Sequence, residues 1–464
     1  MRKTIFLMLI VALLGGCSLA PTYTRPEAPV PAAWPGAAPG QQADKPGENA
    51  ADVPWKDFIV DERLRQVIEL ALADNRDLRV AALNVERTQA LYRIQRAELL
   101  PTVNAGAAFS KERVPGILSQ SGQPATVELY NVNVGISAWE IDLFGRLRNL
   151  KDAALEQYLA TEQARASAQI TLVAEVANAY LALAADRENL KLALSTLETQ
   201  RETYEMIRRR AEVGASSDLD LRQAQTRVDA ARVDIARYTS QVALDENALA
   251  LLVGVPVPAE LLPEALSDVT APRDFTPGLP SEVLQRRPDI VAAEAQLRAA
   301  HANIGAARAA FFPRIALTTS IGTTSDQLSG LFKSGTETWA FVPQIVMPIF
   351  DARTWAAYDV TKVDREIALA QYEKAIQMGF REVADALAQR ATLGDQLQAQ
   401  QSLVEASEVG YRLSDARYTR GIDSYLRVLD AQRSLYGAQQ GLIAVRLARL
   451  TNLVTLYKVL GGGA

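Results

Sequence analysis

The side chains best placed to do work crowd one stretch, "RYTRGIDSYLRVLDA" at 417–431. Arg417, Asp423, Arg427 and Asp430 surround Gly421 there, with Tyr418 and Leu426 among them. Guanidinium and carboxylate groups crowded round one turn can form charge-assisted pairs. An upstream stretch, "RAEVGASSDLDLRQA" at 210–224, echoes it. One offset carries Gly214 onto Gly421, Ser217 onto Ser424 and Leu219 onto Leu426, and the first copy adds Asp218 and Asp220. Either glycine can take the positive φ of a helix C-cap. Ser216 or Ser217, and Asp423 or Ser424, can then cap the helix that follows. For any one of these charges the plainer reading, a solvated helix end, stays open.

Other chemistry is poorly supplied. The 464 residues hold one histidine, His301, and one cysteine, Cys17. A zinc site needs three or four His, Cys or carboxylate ligands, and a serine or cysteine nucleophile needs a base. The net charge is −5, with acids and bases interspersed rather than gathered into a basic stripe, which argues against nucleic acid. The reading is therefore of a protein that is not an enzyme, with no catalytic, cofactor or metal site.

The N-terminus reads "MRK", then "TIFLMLIVALL", then "GGC": a basic start, an apolar run and a small-residue cleavage site. The run is too short for a membrane-spanning helix, which needs about 20 residues. "LGGC" resembles the lipobox of bacterial lipoproteins, which implies that 1–16 is a signal peptide and that Cys17 is acylated. Ser18, in place of Asp, implies the outer membrane. Residues 17–55 are dense in Pro, Gly and Ala and are expected to form an extended tether.

Beyond residue 56 the chain repeats itself. Asp77 falls on Asp289 and Pro101 on Pro313, "DLFGRLRN" (142–149) resembles "PIFDARTWA" (348–356), and the halves end at Gly254 and Gly461. The expected organisation is a first repeat at 56–254, a linker or equatorial region at 255–280, a second repeat at 281–461 and a tail at 462–464. Each repeat reads helix, strand, strand, long helix, turn, helix. From about Arg146 to Val213 there is neither proline nor glycine, so one helix could run roughly 100 Å. Positions 172, 176, 179, 183, 186, 190, 193 and 197 form a 3–4 spaced seam with one polar member, Asp186. Val428, Ala431, Leu435, Ala438, Leu442 and Val445 repeat it, and a plain coiled coil accounts for both.

Two β-hairpins interrupt the helices, at about 102–139 and 314–349. Strand 127–139 places Tyr130, Val132, Val134, Ile136 and Ala138 on one face and Asn131, Asn133, Gly135 and Ser137 on the other. Ile315, Leu317, Thr319 and Ile321 oppose Ala316, Thr318, Ser320 and Gly322, while Trp339, Phe341, Ile345 and Met347 share a face. Segments 111–126 and 323–338 read as exposed loops. No amphipathic element is left over to cover the apolar face, and the strand lengths suit a tilted transmembrane strand. Lipid tolerates no open sheet edge. Four strands cannot close a barrel, so copies must pool them: two would give eight strands with an interior filled by side chains, three would give twelve, and the polar inner face suits the water-filled lumen of three.

Taken with "RRPDI" (286–290), "AAFFPRI" (309–315), "WEIDLFG" (139–145), "YTRGIDSYLRVLDAQRSLY" (418–436) and "LYKVLGGG" (456–463), the chain resembles the outer-membrane factors of bacterial tripartite efflux systems, the TolC/OprM family, in its lipoprotein branch. The resemblance implies a mainly α protein with a β-barrel part: a homotrimer with one 12-stranded barrel in outer-membrane lipid and a periplasmic tunnel of duplicated helical hairpins. It implies a passive exit duct for drugs and other small toxic compounds. A periplasmic adaptor and an inner-membrane RND-type transporter would open its periplasmic tip. It places Arg417, Tyr418, Leu426 and Asp430 on gate positions. Asp423 and Arg427 stand where the TolC pattern has Arg and Asp, so that bridge is altered or reversed here. Asp218 and Asp220 are the corresponding candidates at the first turn. The rival readings are a duct for protein secretion or metal efflux, and, in another class, a trimeric adhesin.

Overall fold

The structure is a computed structural model, and it describes residues 18–31, 33–35, 50–119, 122–274 and 281–462. The expected signal peptide, the acylated Cys17 and parts of the tether, linker and tail lie outside the described residues. The long elements run α1 (Glu62–Asp74), α2 (Arg76–Ala97), β1 (Val103–Val114), β2 (Ala125–Glu140), α3 (Arg146–Glu212) and α4 (Asp218–Val253). They continue as α5 (Pro288–Ala309), β3 (Arg314–Ser325), β4 (Glu337–Val346), α6 (Ala352–Thr419) and α7 (Tyr425–Val459). They fold into two compact units, the first from described residues of Met1–Glu27, Asn84–Glu162 and Ala292–Tyr372, the second from Ala28–Leu83, Gln163–Val291 and Glu373–Ala464.

The first unit holds the sheet. Its strands lie in the order β1-β2-β3-β4, every pair antiparallel, so the two sequence-distant hairpins join through β2 and β3. The strands outrun the sequence reading. β1 continues to Val114 and β2 starts at Ala125, because polar residues keep pairing: Lys111 sits opposite Glu128 and bonds it at 2.6 Å. β3 likewise reaches Ser325 and β4 starts at Glu337, so the connections are shorter than 111–126 and 323–338. β4 ends at Val346, which leaves Met347 beyond the strand rather than on its face.

A second correction concerns faces. Ile136 pairs with Thr319, but the next pair is Trp139 with Leu317, so β2 spends one residue more than β3 there. The extra residue is accommodated at Ala138, whose φ is +50°. This β-bulge reverses the alternation and brings Trp139, not Ala138, onto the apolar face beside Leu317. Below it Glu140 gathers a bidentate contact from Arg146, 2.8 Å on each oxygen, and a 2.7 Å contact from Arg314. One carboxylate thus ties the end of β2 to the starts of β3 and α3.

The extended segment at the N-terminus docks in the same unit. Tyr23 Oη donates to Glu294 Oε1 at 3.0 Å, and Arg25 donates through Nε at 3.0 Å and through its terminal nitrogen to Oε2 at 2.6 Å. Glu294 is only 3% exposed. Burial disfavours its charge, but the Arg25 and Tyr23 hydrogen bonds outweigh that and hold its carboxyl below the ordinary range.

The second unit is built on the helical seams. Leu172, Val176, Leu183, Ala193 and Leu197 are buried along α3, and Val428 and Ala438 along α7. Asp186, the polar member, is half-buried against Asp245. Burial together with that neighbouring carboxyl pushes its pKa up to about 6. At the other end of α7, Arg287 is 8% exposed and donates to Asp289, to Glu382 at 2.8 Å and to the Val459 carbonyl at 2.8 Å. Phe58 stacks on Tyr457 with centroids 3.9 Å apart, and α4 stops at Gly254 with φ +86°.

Candidate functional site

Two helix reversals are built alike. At the first, the amide of Gly214 donates to Ala211 O at 2.9 Å and that of Ala215 to Arg210 O at 2.7 Å. At the second, Gly421 donates to Tyr418 O at 2.9 Å and Ile422 to Arg417 O at 3.0 Å. Both are Schellman motifs, which need a left-handed residue at the turn. The glycines supply it at φ +75° and +74°, with open space where a Cβ would point.

The helix starts differ. Ser217 and Asp220 form a reciprocal capping box at the start of α4: the Asp220 amide donates to Ser217 Oγ at 3.1 Å, and the Ser217 amide to Asp220 Oδ2 at 3.2 Å. Ser424 stands at the N-cap of α7, but its side chain caps nothing. Asp423 does not cap either, because its carboxylate is taken by Arg417. That correction has a plain cause: Arg417 Nε meets Asp423 Oδ2 at 2.5 Å and its terminal nitrogen meets Oδ1 at 3.2 Å, a bidentate pair that outcompetes a neutral amide. The Arg417 guanidinium holds the Asp423 carboxyl below the usual aspartate range, and Asp423 raises Arg417 in turn. The pair therefore closes the second reversal on itself, within one hairpin.

The remaining gate candidates are more open. Leu426 is exposed. Asp430 lies 3.4 Å from Arg433, one turn along the same helix, and Asp218 lies 3.8 Å from Arg222. Arg427 makes no ion pair among the described residues, although its charge also lowers Asp423. Tyr418 is half-buried, 5.5 Å below the Arg210 guanidinium.

Sequence reading missed what joins the hairpins. Ile207 of α3, Ala224 of α4 and Tyr425, Val428 and Leu429 of α7 form one buried cluster, with Tyr204, Leu221, Tyr411 and Tyr418 packed round it. Gln200 Nε2 donates to Gln432 Oε1 at 3.1 Å, and Gln432 Nε2 donates to Tyr411 Oη at 3.2 Å. Tyrosines recurring at 204, 411, 418 and 425 were the available signal. Without the register of α3 against α7 they read as ordinary seam residues.

The sheet is the other candidate. Its register places Val103, Ala105, Ala107, Phe109, Val132, Val134, Ile136, Trp139, Leu317, Ile321, Trp339 and Phe341 on one face. Ile321 is 70% and Trp339 79% exposed, so no described residue covers that face around them. On the opposite face a Cβ added at Gly135 would lie 2.2 Å from Thr319 O, and one at Gly322 2.2 Å from Val132 O. The backbones approach so closely at these two positions that only hydrogen fits there. Asn131, Asn133, Ser320 and Thr324 share it with Ala108, Leu129, Ala340 and Val342, and Asn131 Nδ2 donates to Thr324 Oγ1 at 2.8 Å. Among the described residues β1 and β4 each have an open edge.

An exposed apolar sheet face, a more polar opposite face, edge strands without a described partner and long helical hairpins in the same chain are the features of an outer-membrane channel protein. The chain belongs to the outer membrane efflux protein family, which it matches over residues 67–255 and 279–462. It is 50% identical to the probable efflux pump outer membrane protein TtgC of Pseudomonas putida, covering 100% of this chain and 96% of that protein. It is 43% identical to the outer membrane protein OprJ of Pseudomonas aeruginosa, covering 100% and 97%. Among solved structures it is similar to a membrane protein from Pseudomonas aeruginosa, at TM-score 0.91 and 42% identity over 96% of this chain and 98% of that one. The open state of the MtrE outer membrane channel of Neisseria gonorrhoeae matches at TM-score 0.84 and 38% identity, over 96% and 98%. Its place is the outer membrane.

Proposed function

We propose that three copies pool their sheets into one closed barrel and their hairpins into a conduit, the exit duct of a tripartite efflux pump. The observation that carries this is the open-edged sheet: in lipid each unpaired edge group costs several kcal/mol, and only closure removes the edges. A periplasmic adaptor and an inner-membrane transporter complete the pump, and Cys17 carries the lipid anchor. The cargo is small organic compounds, in line with relatives named for antibiotic and toluene efflux, at 50% identity each. The duct itself does no chemistry on them.

The gate is the pair of reversals. The Arg417–Asp423 pair stiffens the second reversal, and Asp430, Leu426 and Arg427 present charge and bulk beside it. Asp218 and Asp220 do the same at the first. Adaptor binding shifts the tip by its differential affinity for the splayed state. In planar bilayers Arg417→Ala and Asp423→Asn are expected to raise single-channel conductance several-fold. Conductance equal to the parent's in both would sink the gate assignment. Acid offers a second readout. Asp423 is depressed in the fold, so the pair is intact above its ordinary pKa of 3.8 and is lost as pH falls through the lower folded value. Parent conductance should rise only in that acid range, and the Asp423→Asn channel should lack that rise.

A further inference from the structure

Tyr425 opens α7 one residue after the N-cap and is only 2% exposed, locked among Ile207, Ala224, Val428 and Leu429. The Tyr418 ring lies 5.3 Å away, tilted by 50°. Its hydroxyl is buried and finds no hydrogen-bond partner among the described residues. Burial of an unpaired hydroxyl works against the arrangement that buries it, whereas phenylalanine would fill the same space at no such cost. The ring therefore pulls two ways: its faces hold the four helices together, and its oxygen is stabilised only when that packing loosens and water reaches it.

We infer that Tyr425 is a positioning residue for gating, a built-in destabiliser that keeps the packed hairpin junction easy to open. This rests on the gate reading above, in which the packed junction with its Arg417–Asp423 pair belongs to the shut tip. Tyr411 supplies the contrast. Its hydroxyl accepts a hydrogen bond from Gln432 at 3.2 Å, so removing it takes away a bond that holds the junction. Two substitutions of one kind, each deleting a single oxygen, thus have opposite expected signs.

The test is open probability of the full-length reconstituted channel. Tyr425→Phe is expected to lower it about ten-fold, the effect of relieving one buried unpaired hydroxyl, and Tyr411→Phe to raise it. The temperature at which the detergent-solubilised oligomer dissociates should rise for Tyr425→Phe and fall for Tyr411→Phe. An open probability unchanged or raised by Tyr425→Phe overturns the inference, as does a matching sign for the two variants. If Arg417→Ala and Asp423→Asn open the channel while Tyr425→Phe leaves it unchanged, the inference fails alone. If none of them moves it, the gate reading fails first.

Discussion

Gly135→Ala and Gly322→Ala are expected to abolish the sheet rather than weaken it. At both positions a methyl would lie 2.2 Å from a backbone oxygen of the paired strand. No side chain can rotate to relieve that, so β2 and β3 must separate. The loss exceeds the about 1–3 kcal/mol of ordinary overpacking, because the β2–β3 seam is what joins the two hairpins. Gly106→Ala is the control, since its nearest neighbour would be Asn133 Oδ1 at an unstrained 3.5 Å. Outer membrane fractions should hold assembled oligomer for the parent and Gly106→Ala, and none for the other two. Normal assembly of Gly135→Ala would mean that β2 and β3 do not pack this closely at that position.

Replacing Arg287 with Met is expected to destabilise the second unit by about 3 kcal/mol, the low end for breaking a buried ion pair. The side chain is 8% exposed and serves three acceptors at once. Asp289 and Glu382 are partly exposed and can turn to water, which keeps the cost from rising further. The Val459 carbonyl cannot, because the end of α7 is buried around it. Asp289→Asn should cost much less, since Glu382 still neutralises the guanidinium. Thermal melts of the solubilised protein check both, and equal losses for the two variants would contradict the central role given to Arg287.

The features legible in the sequence are those fixed by neighbours a few residues away. A glycine at the end of a long proline-free run, followed by serine and aspartate, specifies a reversal locally, and 210–224 and 417–431 repeat it. Period-2 alternation likewise marks the strands. Features set by partners far along the chain were not legible. The bulge at Ala138 exists because β2 must stay in register with β3, some 180 residues away, and only that pairing moves Trp139 to the apolar face. Strand ends were misjudged for a related reason: Lys111 reads as a loop residue until Glu128 stands opposite it. Asp423 looked like a helix cap because its guanidinium partner lies one turn back in the previous helix. Glu294 and Tyr425 are single residues in helical patterns and Arg287 stands just before a helix, and nothing local distinguishes their burial from exposure.

One chain cannot seal its own sheet in lipid. The number of chains in the detergent-solubilised particle, from its mass after subtraction of bound detergent, tests this most directly. Three chains per particle are expected, with β1 of one copy paired to β4 of the next. A stable single chain that keeps its four-stranded sheet folded would contradict it.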